Sequence, residues 1–580
     1  MVSQRKIPGD QLQLRTPALV QGEEPAKAQL DPEPLPTIIQ TVREDLDVLK
    51  KFYNVPLSPK RHEKIQRYLE DKLSEISKLQ FDKLNQAGKV DYILLKNYLK
   101  SSLQRLKFEL VKDVKVLNLV GSFAYTIIEL CEARQQVQKV DFQQAASKLT
   151  QAHGRLTDLT RAISEGVLKG KVESTIAYRA AYQLGDLQSV LGEWHDFYTG
   201  YEPLFNWWMS QPYDKFQTGL TGLIQSIRKD LVGLENLEED PIIGEPIGRD
   251  GVLADLNFEK IAYTPEELIR IGEKEYSWCL VEAKKAAHDL GYGSDWRKAL
   301  EHVKNMYVEP GQQIYGIRDL AVEATDYVKK HDLITVPEIA ESWRMLMISP
   351  ERQKVNPFFL GGNTIQVSYP TDTMSHEEKL MSMRGNSIPL SRSTVFHELI
   401  PGHHLQYHMI KRHRPYRRIF DTPFWMEGWA LYWEFILWDK GFPDTPENRI
   451  GMLFWRMHRC ARIIFSLKFH LGQMSPQECI DFLVEKVGHE RATATGEVRR
   501  SFNGDYSPLY QAGYMLGALQ LYALRQEVLG SGTMSEKGFH DKILQENEMP
   551  IEVLRALLCN LPLDSDFKAS WRFYGDNLAI

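Results

Sequence analysis

The stretch H-E-L-I-P-G-H-H-L-Q, residues 397–406, decides how this chain is read. On a helix, H-E-x-x-H sets two imidazoles at i and i+4 on one face, where they can share a zinc ion. The Glu after the first His then faces the bound water. Here the second imidazole stands at i+6 (His403) or i+7 (His404). On an unbroken helix, i+6 lies roughly 240° around the axis and about 9 Å along it, and i+7 recovers the face about 10.5 Å away. Zinc–nitrogen bonds are only about 2 Å long, so neither spacing serves one ion on a regular helix. Pro401 alters this. Its ring clashes with the carbonyl four residues back, that of His397, and it has no N–H to donate. Gly402 takes backbone angles that other residues avoid. The sequence therefore predicts a helix interrupted between Glu398 and His403. Pro401 and Gly402 loop out, His403 stands where the i+4 ligand would, and the helix resumes through Tyr407. On this reading His397 and His403 are metal ligands and Glu398 is a general base. His404 is the alternative ligand. Failing that, it donates to substrate or orients a ligand.

Thirty residues after His397, Glu427 opens E-G-W-A-L-Y-W-E (427–434). A buried aromatic helix rarely tolerates an unpaired carboxylate. Metal ligation solves this for Glu427, and Glu434, seven residues on and on the same face, is expected to pair with an imidazole or an arginine. Trp425, Trp429 and Trp433 recur every four residues, as packing side chains do. Tyr514 has a hydroxyl suited to donate to an oxyanion, with Tyr510 the neighbouring alternative. Arg500 carries a planar fork that suits a substrate carboxylate or a structural ion pair. His408, His458 and His470 are lone histidines.

The strings at 397–406 and 427–434 resemble the family catalogued as domain of unknown function 885. That family is predominantly helical and is similar to zinc metallopeptidases of the gluzincin type. The resemblance implies Zn²⁺ as cofactor and Glu427 as third ligand. It extends to Y-T-P-E-E-L-I-R-I-G-E (263–273), E-V-R-R (497–500) and the P-x(5)-Y-x(2)-G pattern from Pro508 to Gly517, which sets Tyr514 on the family tyrosine. The segment R-C-A-R-I-I-F-S-L-K-F-H (459–470) resembles an R-A-C-R stretch followed by D-T-G-x-H. Arg459, Arg462 and His470 fit, whereas Ser466 and Lys468 replace the Asp and Gly. These matches add His470 and Arg500, with His404, as candidate substrate-binding residues. They cover roughly residues 240–580. Residues 350–390 depart from the family's bacterial pattern.

Composition narrows the class. The chain has 580 residues, 43% hydrophobic and 26% charged, with a net charge of −6. No basic stripe is interleaved with aromatics, so a nucleic-acid partner is not expected. The basic run K-R-H-R-P-Y-R-R (411–418) reads as a solvated helix end. Five scattered cysteines without metal-ligand spacing point to a reducing compartment. The first residues lack a secretory pattern, and no run reaches the ~18 apolar residues of a membrane span. The expectation is a cytoplasmic enzyme without a membrane partner. Nothing in the sequence fixes its oligomeric state.

The chain divides on paper into a flexible, Pro-rich arm (1–37), an N-terminal helical region (38–240) and a catalytic metallohydrolase region (241–580), packed as one unit around a cleft. The Pro/Gly/acid-rich 236–251 reads as the boundary, or as a connection across a cleft. Thr264-Pro265 with two following acids predicts a helix start. Residues 355–370 carry the clearest strand signal. The expected fold is mainly α, a large multi-helix zincin-like fold with a small β-sheet next to the active-site cleft. The expected function is zinc-dependent hydrolysis of amide bonds, most simply in short peptides. A non-peptide amidase and a catalytically inactive binding protein are the alternatives.

Overall fold

A computed structural model describes residues 34–234, 242–353, 361, 364–504 and 506–575. Most of it is α-helix. The helix Pro265–Asp289 starts where the sequence predicts. Thr264 accepts from the Glu267 N–H, and Glu267 returns a bond to the Thr264 N–H. These two bonds satisfy donors that a helix start otherwise leaves unpaired. Thr-Pro pairs also open the helices Pro423–Asp439 and Pro446–His470. Both are buried nearly all round, as their run of aromatic and aliphatic residues requires.

Two large apolar cores form, and they cut across the boundary read near residue 240. The main core joins residues 35–99 to residues from Val252 to Phe573. The second is built from Val116 to Ile227, with Val55 and Leu57. The 50-residue helix Gln86–Gln135 contributes to both: Val90–Leu99 enter the first, Val116–Cys131 the second. Between Leu99 and Val116 it buries only Asp113. By length and composition this helix alone, among the described residues, would pass for a membrane span, which the sequence reading did not expect. Half of that window is buried within the protein. Residues 35–37, assigned to the arm, begin the helix Leu35–Phe52, whose Leu35 and Ile39 are fully buried. The rest of the arm, 1–33, and residues 235–241 lie outside the described residues.

Among the described residues, strand structure is confined to two short segments, β1 (Arg344–Met347) and β2 (Thr364–Val367), paired in parallel with Arg344 opposite Thr364. Of the stretch 355–370, only 364–367 are strand. Residues 354–360 and 362–363 are outside the described residues. Ile365 and Val367 pack on Val395 and Leu399, which flank His397 and Glu398. The small sheet therefore lies against the helix that carries the histidine motif.

Candidate metal centre

The helix Ile388–Glu398 stops as Pro401 dictates. Leu399 leaves helical geometry (φ −108°, ψ −107°), the Ile400–Pro401 bond is cis, and a new helix runs His403–Ile410. Gly402 has φ −78°, so it does not use the left-handed region. What glycine supplies is room. A Cβ would lie 2.6 Å from the Phe396 carbonyl oxygen and closer still to that of His397. The turn is hydrogen-bonded throughout. The Gly402 N–H donates to Phe396 O (3.0 Å), the His404 N–H to Leu399 O (3.1 Å), and Trp429 Nε1 to Pro401 O (3.0 Å).

This break turns His403 toward His397. Their rings stand 5.0 Å apart at 83°. Glu427, from the helix Pro423–Asp439, meets both. Its Oε2 is 3.0 Å from His403 Nε2 and 3.8 Å from His397 Nε2. One donor atom from each of the three residues lies within 4.8 Å of the others, and all three residues are buried. That is close enough for one cation to engage all three. The remaining nitrogens are held from outside. His397 Nδ1 donates to Glu434 Oε1 (2.8 Å), the imidazole partner expected for Glu434. His403 Nδ1 donates to Gln406 Oε1 (3.2 Å), and Gln406 Nε2 in turn donates to Met426 O (3.2 Å). Tyr510 OH donates to Glu427 Oε1. Both Nε2 atoms are thereby fixed inward, as metal-binding imidazoles require. Two neutral-capable imidazoles and one carboxylate also match zinc's donor preference.

Electrostatics agree with the geometry. Burial alone would raise the Glu427 carboxyl, but His403 and His397 hold it well below the ordinary range. Burial opposes charge on His403, yet Glu427 overrides it and lifts the imidazole to about 9. A cation bound there takes the place of the proton on Nε2. Glu398 is raised by burial, moderated by the two histidines.

The centre opens into a cavity of about 460 Å³. Glu398, Tyr514 and Arg500 line it, as do Gln366 of β2 and Arg352. Tyr514 lies parallel to His397, centroids 6.2 Å apart. Helix–helix contact at glycine makes this possible: a Cβ on Gly517 would sit 2.8 Å from the Phe424 carbonyl carbon. The backbones carrying Glu427 and Tyr514 therefore touch.

Two sequence-derived candidates fall elsewhere. His404 is not on the cavity wall; its Nε2 bonds Ala340 O (2.8 Å). It follows His403 by one residue, so the helix turns it to a different side. His470 also misses the cavity. It lies eleven residues beyond Arg459 on one helix, about 16 Å along the axis. It is buried against Phe469 and Phe502, and burial pushes it down to about 4. Ser466, standing where the family pattern has Asp, bonds its own helix at Arg462 O (2.6 Å). The sequence reading assigned no site role to Arg459 and Arg462, which line the cavity. The available signal was their i, i+3 spacing on a helix whose apolar residues leave almost no face for solvent.

A family model described as "Bacterial protein of unknown function (DUF885)" matches residues 53–558, including the N-terminal helices that the motifs alone did not reach. Two solved structures are similar over almost the whole chain. One, from Shewanella oneidensis, is described as a candidate lipoprotein of unknown function. It is 17% identical, covers 90% of this chain and 99% of its own, and has a TM-score of 0.65. The other, from Colwellia psychrerythraea, is described as a candidate lipoprotein. It is 14% identical, covers 91% and 98%, and has a TM-score of 0.57. No curated protein matches the chain.

Proposed function

We propose that this chain, which belongs to the DUF885 family of bacterial proteins of unknown function, is a zinc-dependent hydrolase of amide bonds, acting on short peptides by a gluzincin-like route. The reading is carried by one observation: His397, His403 and Glu427 converge within 4.8 Å, each held from behind by a further hydrogen bond, at the edge of a cavity that Glu398 also faces. Bound zinc would supply a water of near-neutral pKa and polarise the scissile carbonyl. The rest falls to side chains. Glu398 accepts the proton of the attacking water and passes it to the leaving amine; its burial-raised pKa suits both roles. Tyr514, beside His397, donates to the oxygen on which charge develops. Tyr510, committed to Glu427, positions a ligand. The cavity is of a size that holds a small ligand. Because β2 lies at a sheet edge and reaches the cavity through Gln366, an extended peptide can pair along it.

Purified protein reconstituted with zinc should hold one equivalent and cleave members of a mixed short-peptide pool. Glu398→Gln should keep the metal and lose activity by about 100- to 10,000-fold. A zinc-loaded protein that leaves the pool untouched, or a Glu398→Gln variant with full turnover, refutes the assignment. For localisation, five free cysteines, four of them buried, support a reducing and hence cytoplasmic setting; cell fractionation tests it.

A further inference from the structure

The helix Pro446–His470 and the neighbouring helix Arg491–Phe502 deliver three buried guanidinium groups to one wall of the cavity. Arg459 and Arg462 both lie over the Tyr514 ring, at 4.7 and 4.4 Å from its centroid. Arg500 donates to Tyr506 OH (2.9 Å). Among the described residues their counter-charges fall short. Glu497 serves Arg462 (2.6 Å) and, more distantly, Arg500 (4.0 Å). Among the described residues Arg459 has only Glu434, at 3.9 Å, and that carboxylate is already bonded to His397. Glu427 is committed to His403 and Tyr510.

Elsewhere in the fold, buried arginines are matched. Arg417, fully buried, has Asp91 at 2.7 Å and Glu546 at 2.8 Å. Arg456 has Glu275 at 3.0 Å. Arg459 Nε, Arg462 Nη1 and Arg500 Nε are buried N–H groups without an acceptor among the described residues; Arg417 Nη2 and Arg456 Nε share that, so what sets the cavity wall apart is its shortage of charge beside open cavity space. A buried cation short of both charge and acceptors is costly unless an anion arrives to complete it. Burial and the neighbouring Arg462 weaken the hold of Arg459 on its own proton, whereas Glu497 keeps Arg462 and Arg500 firmly charged, so the shortage of counter-charge falls on Arg459.

From this wall we infer that Arg459, Arg462 and Arg500 seat a carboxylate of the substrate, close to the bond that is cleaved. The inference rests on the hydrolase reading and narrows its substrate to short peptides carrying such a carboxylate. Reach sets how close. His397 and Tyr514 are 6.2 Å apart and Arg459 lies 4.7 Å beyond the tyrosine, so centre and guanidinium are within about 11 Å. An extended chain covers that with about three residues, at about 3.5 Å each. The carboxylate is therefore either the peptide's own C-terminus or an acidic side chain nearby. Arginine forks bind such groups through paired N–H bonds.

Calorimetric titration of the full-length, metal-free protein separates binding from turnover. Three probes suffice: N-acetyl-trialanine as free acid, the same peptide as C-terminal amide, and that amide with glutamate as its last residue. The free acid should bind at least ten-fold tighter than the alanine amide, and Arg459→Gln should cut this preference to less than three-fold. Should that variant fail to fold, the wild-type comparison still decides. A glutamyl amide that binds as tightly as the free acid assigns the carboxylate to a side chain; one that binds like the alanine amide assigns it to the chain terminus. Equal binding of acid and both amides, or no binding of the acid at millimolar concentration, overturns the inference. Zinc-loaded protein separates the two claims. Turnover without acid preference removes the carboxylate site and leaves the hydrolase, whereas acid-selective binding without turnover does the reverse.

Discussion

Alanine in place of Gly402 tests the joint on which the centre depends. Its methyl carbon would lie 2.6 Å from the Phe396 carbonyl oxygen, with the His397 carbonyl carbon at 2.5 Å. Carbon–oxygen contacts settle at about 3.3 Å, so the turn must open by at least about 0.7 Å. Metal–ligand distances tolerate only about 0.2 Å. His397 lies on one side of the turn and His403 on the other, so the opening separates the two imidazoles. Glu434 and Gln406 hold both rings from behind and leave them little freedom to follow. Overpacking of this kind costs about 1–3 kcal/mol. We expect Gly402→Ala to lose stability in that range and zinc affinity by at least 100-fold. Competition with a chromogenic chelator measures the affinity, and urea unfolding with and without zinc measures the stability. Saturating zinc should stabilise the wild type, through ligand linkage, and leave the variant almost unmoved. A variant that folds with wild-type stability and binds one zinc at wild-type affinity refutes the claim that the interrupted helix builds the site.

Three further outcomes follow from the same geometry. Glu434→Gln removes the charge behind His397 and should weaken zinc binding by about 10- to 100-fold; unchanged affinity by chelator competition would remove Glu434 from the centre. Gly517→Ala forces apart the backbones that bear Glu427 and Tyr514 and should lower stability by about 3 kcal/mol in urea titration, with an unshifted midpoint counting against the contact. Burial pushes His470, His489 and His540 down to about 4, 3 and 4. Because those values lie below the ordinary 6.5, the unfolded chain takes up protons that the native state refuses. The stability these groups contribute is therefore present above pH 6.5 and lost as pH falls toward 4, at up to about 1.4 kcal/mol per pH unit for each histidine. Urea midpoints that stay level from pH 7.5 to pH 5 would contradict this.

The centre was legible because its signals are local. Pro401 cannot continue a helix, so the break between Glu398 and His403 could be placed from two residues. The acid in a run of tryptophans and aliphatics needed a partner, which pointed to Glu427 and Glu434. The role of Gly402 was only half legible. Its composition suggested special backbone angles, whereas the structure uses its missing side chain to admit the His397 carbonyl. His404 and His470 went astray because motif adjacency does not specify direction; one residue or three helical turns carries a side chain off the wall. Arg459 and Arg462 passed unassigned because their meaning depends on Glu497 and Glu434, which come from other helices. The division of the cores was invisible for the same reason, since periodicity tells that a face is buried but not against what.

That division has a consequence for anyone who would dissect the chain. A helix of fifty residues is a rod about 75 Å long, and Gln86–Gln135 is embedded at each end in a different core. Its first fourteen residues, together with the helices that precede it, belong to the same core as the aromatic helix that bears Glu427. A fragment trimmed to begin near residue 242 would leave that interior open to water along the seats of Leu94, Leu95 and Leu99, and the excised front half would carry the same side chains with nothing to cover them. The rod works as a shared beam: neither half of the building stands once it is sawn through, and the molecule has to be handled whole.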